Sequence, residues 1–141
     1  MVTKFANTQS DFFQIVRIRT EVFVDEQKVD IHIEQDEHDD TALHWLVLDD
    51  HHQPVACCRG LVNNDEIQIG RVAVLQSCRH QGIATKMLKD IEHDPHLQGM
   101  KRIVVHAQIQ VREFYDQLDY RVISEPFYEA GIRHVTMEKS L

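Results

Sequence analysis

Residues 71–92 read RVAVLQSCRHQGIATKMLKDIE, and the fold turns on them. Val72, Ala73, Val74 and Leu75 read as the end of a strand. Ile83, Met87, Leu88 and Ile91 recur at helical spacing, so a helix follows and ends before Pro95. Between strand and helix lies a basic loop with one glycine. A helix start leaves its first backbone N–H groups unpartnered and adds partial positive charge there. Gly82 permits close approach and left-handed backbone, Ala84 keeps the surface small, and Arg79 and His80 add charge. The combination suits a diphosphate. A lone glycine before a helix equally serves to close a turn, so the loop alone leaves both readings open. The glycine-rich dinucleotide fingerprint and the Walker-type lysine loop are both absent.

The pattern extends outward in both directions. KRIVVHAQ (101–108) is a buried strand, so strand, helix and strand imply a right-handed crossover and a parallel pair. Upstream, ALHWLVLDD (42–50), PVACCRGLV (54–62) and EIQIGRVAVL (66–75) are joined by short polar turns and read as an antiparallel meander. Residues 2–6 form a first strand. Thr8, with Asp11 three residues on, starts a helix whose apolar face carries Phe12, Ile15, Val16, Val22 and Phe23. Residues 26–41 lose periodicity and read as a long charged loop with room for one helical turn. VREFYDQL (111–118) is a short helix. YRVIS (120–124) and IRHVTMEK (132–139) are strands joined by EPFYEAG. The order β-α-βββ-α-β-α-ββ predicts an α/β domain of α+β type with a mixed, mostly antiparallel sheet flanked by helices. No linker or repeat interrupts it, so residues 1–141 read as a single domain.

The 141 residues are 43% apolar and 27% charged, a globular composition. The formal net charge of −8 weighs against non-specific nucleic-acid binding and favours cationic ligands. Eight acids crowd residues 25–40 beside a single lysine, Lys28, and read as a solvated loop or an acidic rim for a cationic acceptor. No apolar run is long enough to span a bilayer, and the first residues lack a charged-then-apolar layout. The expectation is a cytoplasmic protein without a membrane partner. Cys57, Cys58 and Cys78 form an odd set, expected as free thiols, with Cys57 and Cys58 on opposite sheet faces.

RVAVLQSCRHQGIATKML resembles the acyl-CoA motif of the GNAT N-acetyltransferases, with Arg79-His80-Gln81-Gly82-Ile83-Ala84 in place of the family's Arg/Gln-x-x-Gly-x-Gly/Ala. IVVHAQIQVREFYDQLDY resembles the family's second element, a strand and then a helix bearing Phe-Tyr. The likeness is strongest to the ElaA-like or YjcF-like branch, through RTEVFVDEQKVD (19–30), the acidic segment and EAGIRHVTMEK (129–139). It covers nearly the whole chain.

This resemblance implies the GNAT acyl-CoA N-acyltransferase fold, in which two parallel strands splay apart to admit CoA. Here they would be the strands around Arg71–Leu75 and Ile103–Ala107. Acetyl-CoA is implied as co-substrate. Val72, Ala73 and Val74 would meet the pantetheine and thioester by their backbone, and Arg79, His80, Gln81, Gly82, Ile83, Ala84 and Thr85 would surround the diphosphate. Gln108 stands where the family often has asparagine. Tyr115 matches the general acid that protonates the departing thiolate. Acetyl transfer also needs a neutral amine, and a lysine-like amine has a pKa of about 10.4, so a base or a desolvating site is required. Glu34, Glu37, His106 and His134 are candidates, none singled out, and a water chain ending on a backbone carbonyl would also serve. Asp119 stands where the family has glycine and must take a turn conformation. Direct transfer is expected rather than an acyl-cysteine at Cys78. His93 and His96 flank Pro95, which breaks helical ligand spacing, so no metal is expected. The acceptor is an amine, small molecule or peptide, and a homodimer is left open. The rival reading is a CoA-binding sensor or interaction module without turnover.

Overall fold

The computed structural model describes Met1–Leu141. Its strands are β1 (Val2–Phe5), β2 (Leu43–Leu48), β3 (Pro54–Asn63), β4 (Glu66–Val74), β5 (Arg102–Gln108), β6 (Arg121–Val122), β7 (Phe127–Glu129) and β8 (Ile132–Ser140). They form one eight-stranded sheet in the order β1-β2-β3-β4-β5-β8-β6, with β7 also on β8. Only β4 and β5 run parallel; every other pairing is antiparallel.

Helix α1 (Gln9–Arg19) starts where Thr8 caps it, the Asp11 N–H donating to Thr8 Oγ1 at 3.0 Å. Its Ile15 and Ile18 pack with Leu46, Cys57 and Ala73 on one sheet face. On the other face, α3 (Ile83–Glu92) buries Ile83, Met87, Leu88 and Ile91, the stripe read from the sequence. Cys58 belongs to this second core, so adjacent Cys57 and Cys58 do face opposite ways. All three cysteines are free. No helix is long and apolar enough to cross a membrane.

Two segments differ from the reading. Residues 26–41 hold more structure than a loop with one helical turn. Chain that leaves α1 continues as a π-helical segment, Thr20–Glu26, followed by a single turn, α2 (Ile31–Glu34), and a 3₁₀ turn, Glu37–Asp40. The linker EPFYEAG contains β7, which pairs with β8 through a tight turn at Ala130 (φ 51°) and Gly131 (φ 76°). Two successive positive φ values suit the right-handed twist of a hairpin. Helix α4 (Arg112–Asp116) ends through Asp119, whose φ is 70°. Aspartate takes the turn conformation here that the family resemblance implied for it.

Candidate active site

The β4/β5 ladder runs from Glu66↔Arg102 to Ile69↔Val105 and stops. β4 continues to Val74 and β5 to Gln108, so the two strands part from Gly70 and His106 onward. β5 remains laddered to β8 through Gln108↔His134, which fixes the far wall. The parted segment of β5 is therefore His106–Gln108; Ile103–Val105, expected in the gap, are paired. β4 turns away because it carries a bulge. Cys57 pairs with Ala73 but Arg59 with Gly70, which leaves one extra residue on β4. Arg71 lies in that bulge at φ 50°, a left-handed conformation that costs a non-glycine residue about 1 kcal/mol.

The Arg71 side chain offsets that strain. Its Nε and Nη2 donate to the Glu34 carbonyl at 3.2 and 3.1 Å, and Nη2 reaches the Asp36 carboxylate at 3.3 Å. Arg19, 1% exposed, donates to Asp39 from Nη1 at 2.8 Å, and its Nε is held by the Glu34 carboxylate. Arg59 bridges Asp36 and Asp39 at 2.7 and 2.9 Å. Three guanidiniums thus neutralise three carboxylates. Burial alone would raise the Asp39 carboxyl, but Arg19 and Arg59 overrule it and hold the pKa at about 2. The acidic stretch is neither a solvated loop nor an acidic rim in this part. It clamps residues 31–40 over β3 and β4.

Under that clamp lies a cleft of about 820 Å³ that runs along the gap. A second cavity of about 280 Å³ continues it to the start of α3, the two sharing Val74, Arg79, Ala84 and Phe114. His80 (φ 62°) and Gly82 (φ 77°) turn the loop there, and no side chain caps α3. Val72, Ala73, Val74, Arg79, Ala84, Gln108 and Tyr115 line the larger cavity. His80, Gly82, Ile83 and Thr85 line the smaller one. Gln81 lines neither.

Arg79 is not the bare cation the sequence suggested. Its Nη2 donates to Glu26 at 2.8 Å and its Nε to the Val74 carbonyl at 3.0 Å, a local cross-tie that no short motif encodes. Gln108 is similarly tied to Gln27 at 3.2 Å. Tyr115 is 6% exposed, its ring edge-on to Phe114 and Tyr120. Burial pushes its phenol well above the ordinary value, so it stays protonated.

Of the four base candidates, Glu34 is engaged by Arg19, and Glu37 lines neither cavity. His106 and His134 both line the cleft, and so does a residue the sequence reading passed over, Glu129. Glu129 lies 3.0 Å from His106 Nδ1 and 3.8 Å from His134 Nε2. The hydrogen bond from His106 holds its carboxyl below the usual range. Glu129 was hidden because β7 was read as part of the linker; the Ala130-Gly131 pair, which closes the hairpin, was the available signal.

A parted parallel pair that opens onto an uncapped helix is the geometry the GNAT resemblance implied, and the model of the acetyltransferase (GNAT) domain matches residues 8–141. The chain belongs to the GNAT acetyltransferase family. The uncharacterized N-acetyltransferase YjcF of Bacillus subtilis is 35% identical over 123 residues, covering 86% of this chain and 87% of YjcF. The fold superposes on a Lactobacillus plantarum protein with a TM-score of 0.93 at 24% identity, covering 99% of this chain and 97% of that one. A GNAT acetyltransferase of Elizabethkingia anophelis, solved with acetyl-CoA bound, gives a TM-score of 0.70 at 14% identity over 99% of this chain and 97% of its own. GNAT proteins are acyltransferases that act on amine acceptors, and so is this chain by class.

Proposed function

We propose that this GNAT protein is an acetyl-CoA-dependent N-acetyltransferase that moves acetyl directly onto a primary amine, without a covalent enzyme intermediate. The observation that carries the reading is the β4/β5 ladder ending at Ile69↔Val105 inside a cleft continuous with the α3 start. An amide-bearing arm fits the gap, because backbone left without a strand partner there needs another. A diphosphate fits the far end. The first N–H groups of α3 lack a side-chain cap, and a Cβ on Gly82 would meet nothing within 4 Å, so the loop leaves room. The thioester supplies the activated acetyl group.

The chain's own groups account for the rest. Backbone of Val72–Val74 orients the arm and offers an N–H donor to the carbonyl oxygen as it turns negative. Tyr115, kept protonated by burial, donates its proton to the departing sulfur. A cysteine nucleophile is disfavoured: burial pushes the Cys57 thiol up to about 12 and Cys58 well above its ordinary value. Cys78 lines only the smaller cavity, and its one polar neighbour is Ser77. Three free thiols suit a reducing, cytoplasmic setting.

The test is acetyl-CoA turnover across chemically varied amines, followed by thiol release and product mass spectra. Thiol release matched by an acetylated amine is expected. Binding of acetyl-CoA with no thiol release on any amine would favour a sensor.

A further inference from the structure

We propose that His106 takes the proton from the acceptor amine, with Glu129 as its positioning residue; the assignment rests on the transferase reading above. His106 is the first residue of β5 beyond the β4/β5 ladder, so it stands where the strands part. Its side chain is 28% exposed, and it lines the cleft. Successive β5 side chains alternate between faces. Ile103, Val105 and Ala107 enter the α3 core, which leaves His106 and Gln108 on the face covered by residues 20–40.

The contact with Glu129 fixes the ring chemistry. His106 Nδ1 is 3.0 Å from Glu129 Oε1, and a carboxylate only accepts, so the proton sits on Nδ1. In the neutral ring the lone pair is then on Nε2, which has no partner in the chain. Gln68 Nε2, at 3.4 Å from Nδ1, is the weaker contact. Phe127 sets its ring edge against His106 and holds it from the side.

His134 is the poorer base. It is 6% exposed, stacked on Phe127, and its Nδ1 is bound to the Ile132 carbonyl at 2.6 Å. Its Nε2 faces the Glu129 carboxylate at 3.8 Å. The titratable and charged groups around His106 are thus Glu129 from β7, His134 from β8 and, acting on Glu129 at longer range, Arg71 from β4. Glu129 is the one carboxylate lining the cleft without an arginine partner, since Glu34 and Asp36 are both arginine-bound. It stabilises an imidazolium as that forms.

The protons balance. Nε2 of His106 removes one proton from the acceptor ammonium, and the freed nitrogen pair forms the C–N bond. As the C–S bond breaks, its electrons go to sulfur, which takes a proton from Tyr115. The attacking nitrogen's surplus proton restores Tyr115 through water, and His106 releases its own to solvent.

The experiment pairs NMR with kinetics. Imidazole nitrogen shifts, assigned with H106Q, should show His106 as the Nδ1–H tautomer in the free protein. E129Q should lose that tautomer, because the carboxylate that accepts from Nδ1 is gone. On an accepted amine, H106Q should lose about 100-fold in kcat/KM near neutral pH and recover as the pH approaches the amine's own pKa. E129Q should lower kcat while leaving KM for acetyl-CoA unchanged, because the ring loses the contact that orients it. An Nε2–H tautomer, or an active wild type that H106Q matches in rate and pH profile, overturns the base assignment alone. A wild type that releases no thiol with any amine overturns the transferase reading and the base with it.

Discussion

Replacing Glu34 with alanine tests whether the arginine network carries the roof of the cleft. Arg19 is 1% exposed and Glu34 2% exposed. Arg19 Nη1 and Nη2 hold Asp39 at 2.8 and 3.1 Å, and Nη2 also holds the Glu34 carbonyl at 2.9 Å. The substitution leaves those bonds but strips the carboxylate from Nε, so part of a buried cation loses its partner. Breaking a buried pair from one side costs about 3 kcal/mol or more. For a chain of this length that corresponds to a fall of about 10 °C in Tm. Calorimetry would read it. The double variant R19M/E34L removes both charges and fills the space. It should recover most of the loss, because Asp39 keeps Arg59 at 2.9 Å. Residues 29–38 contribute Val29, Ile33, Asp36 and His38 to the cleft, so E34A should also raise KM for the acceptor more than for acetyl-CoA. A Tm change under about 3 °C, or a double variant no better than E34A, would refute the reasoning.

Three further outcomes follow from the same geometry. Y115F should lower kcat about 100-fold yet leave Tm within about 2 °C, since the hydroxyl has no partner in the chain and the ring packing survives; equal losses of both would make Tyr115 structural. E26Q should tighten acetyl-CoA binding about two- to fivefold by freeing Arg79 from a competing carboxylate, and titration calorimetry would show it; unchanged or weaker binding removes Arg79 from the site. Asp39, held at about 2, contributes about 2 kcal/mol that is fully present above its unfolded value near 3.9 and disappears as the pH falls through about 2. The stability gap between wild type and D39N should therefore narrow from pH 5 towards pH 2 in urea unfolding, and a constant gap would sink that account.

What the sequence made legible was local. The α3 stripe and the Thr8 cap each depend on residues within one or two turns of chain, and both stand as read, whereas the Asp119 turn was legible through the GNAT likeness. The parted strands were legible only through the GNAT likeness, because a ladder's end is set by the bulge at Arg71, and no β-branched pattern encodes a bulge. The clamp joins Arg19 to Asp39, Arg59 to Asp36 and Arg71 to Glu34 across 20 to 37 positions. Periodicity carries no information at such separations, so the same acids read equally well as solvated. The π-helical segment stayed hidden for a related reason. Thr20–Glu26 continues the apolar face of α1 through Val22 and Phe23, and no sequence pattern separates a π-helical turn from an α-helical one; packing against β4 and the Glu26–Arg79 tie accompany it. Glu129 was missed with its short strand, whose three residues are too few for alternation to stand out.

Amide hydrogen exchange across Gly70–Val74, with and without acetyl-CoA, bears most directly on the central claim that a CoA arm takes the place of a strand between β4 and β5. The account predicts that gap-facing amides there, unpaired on the β5 side, slow by at least about tenfold on binding, while Glu66–Ile69, already laddered to β5, change little. Saturating acetyl-CoA that protects some other surface and leaves Gly70–Val74 unchanged would contradict it.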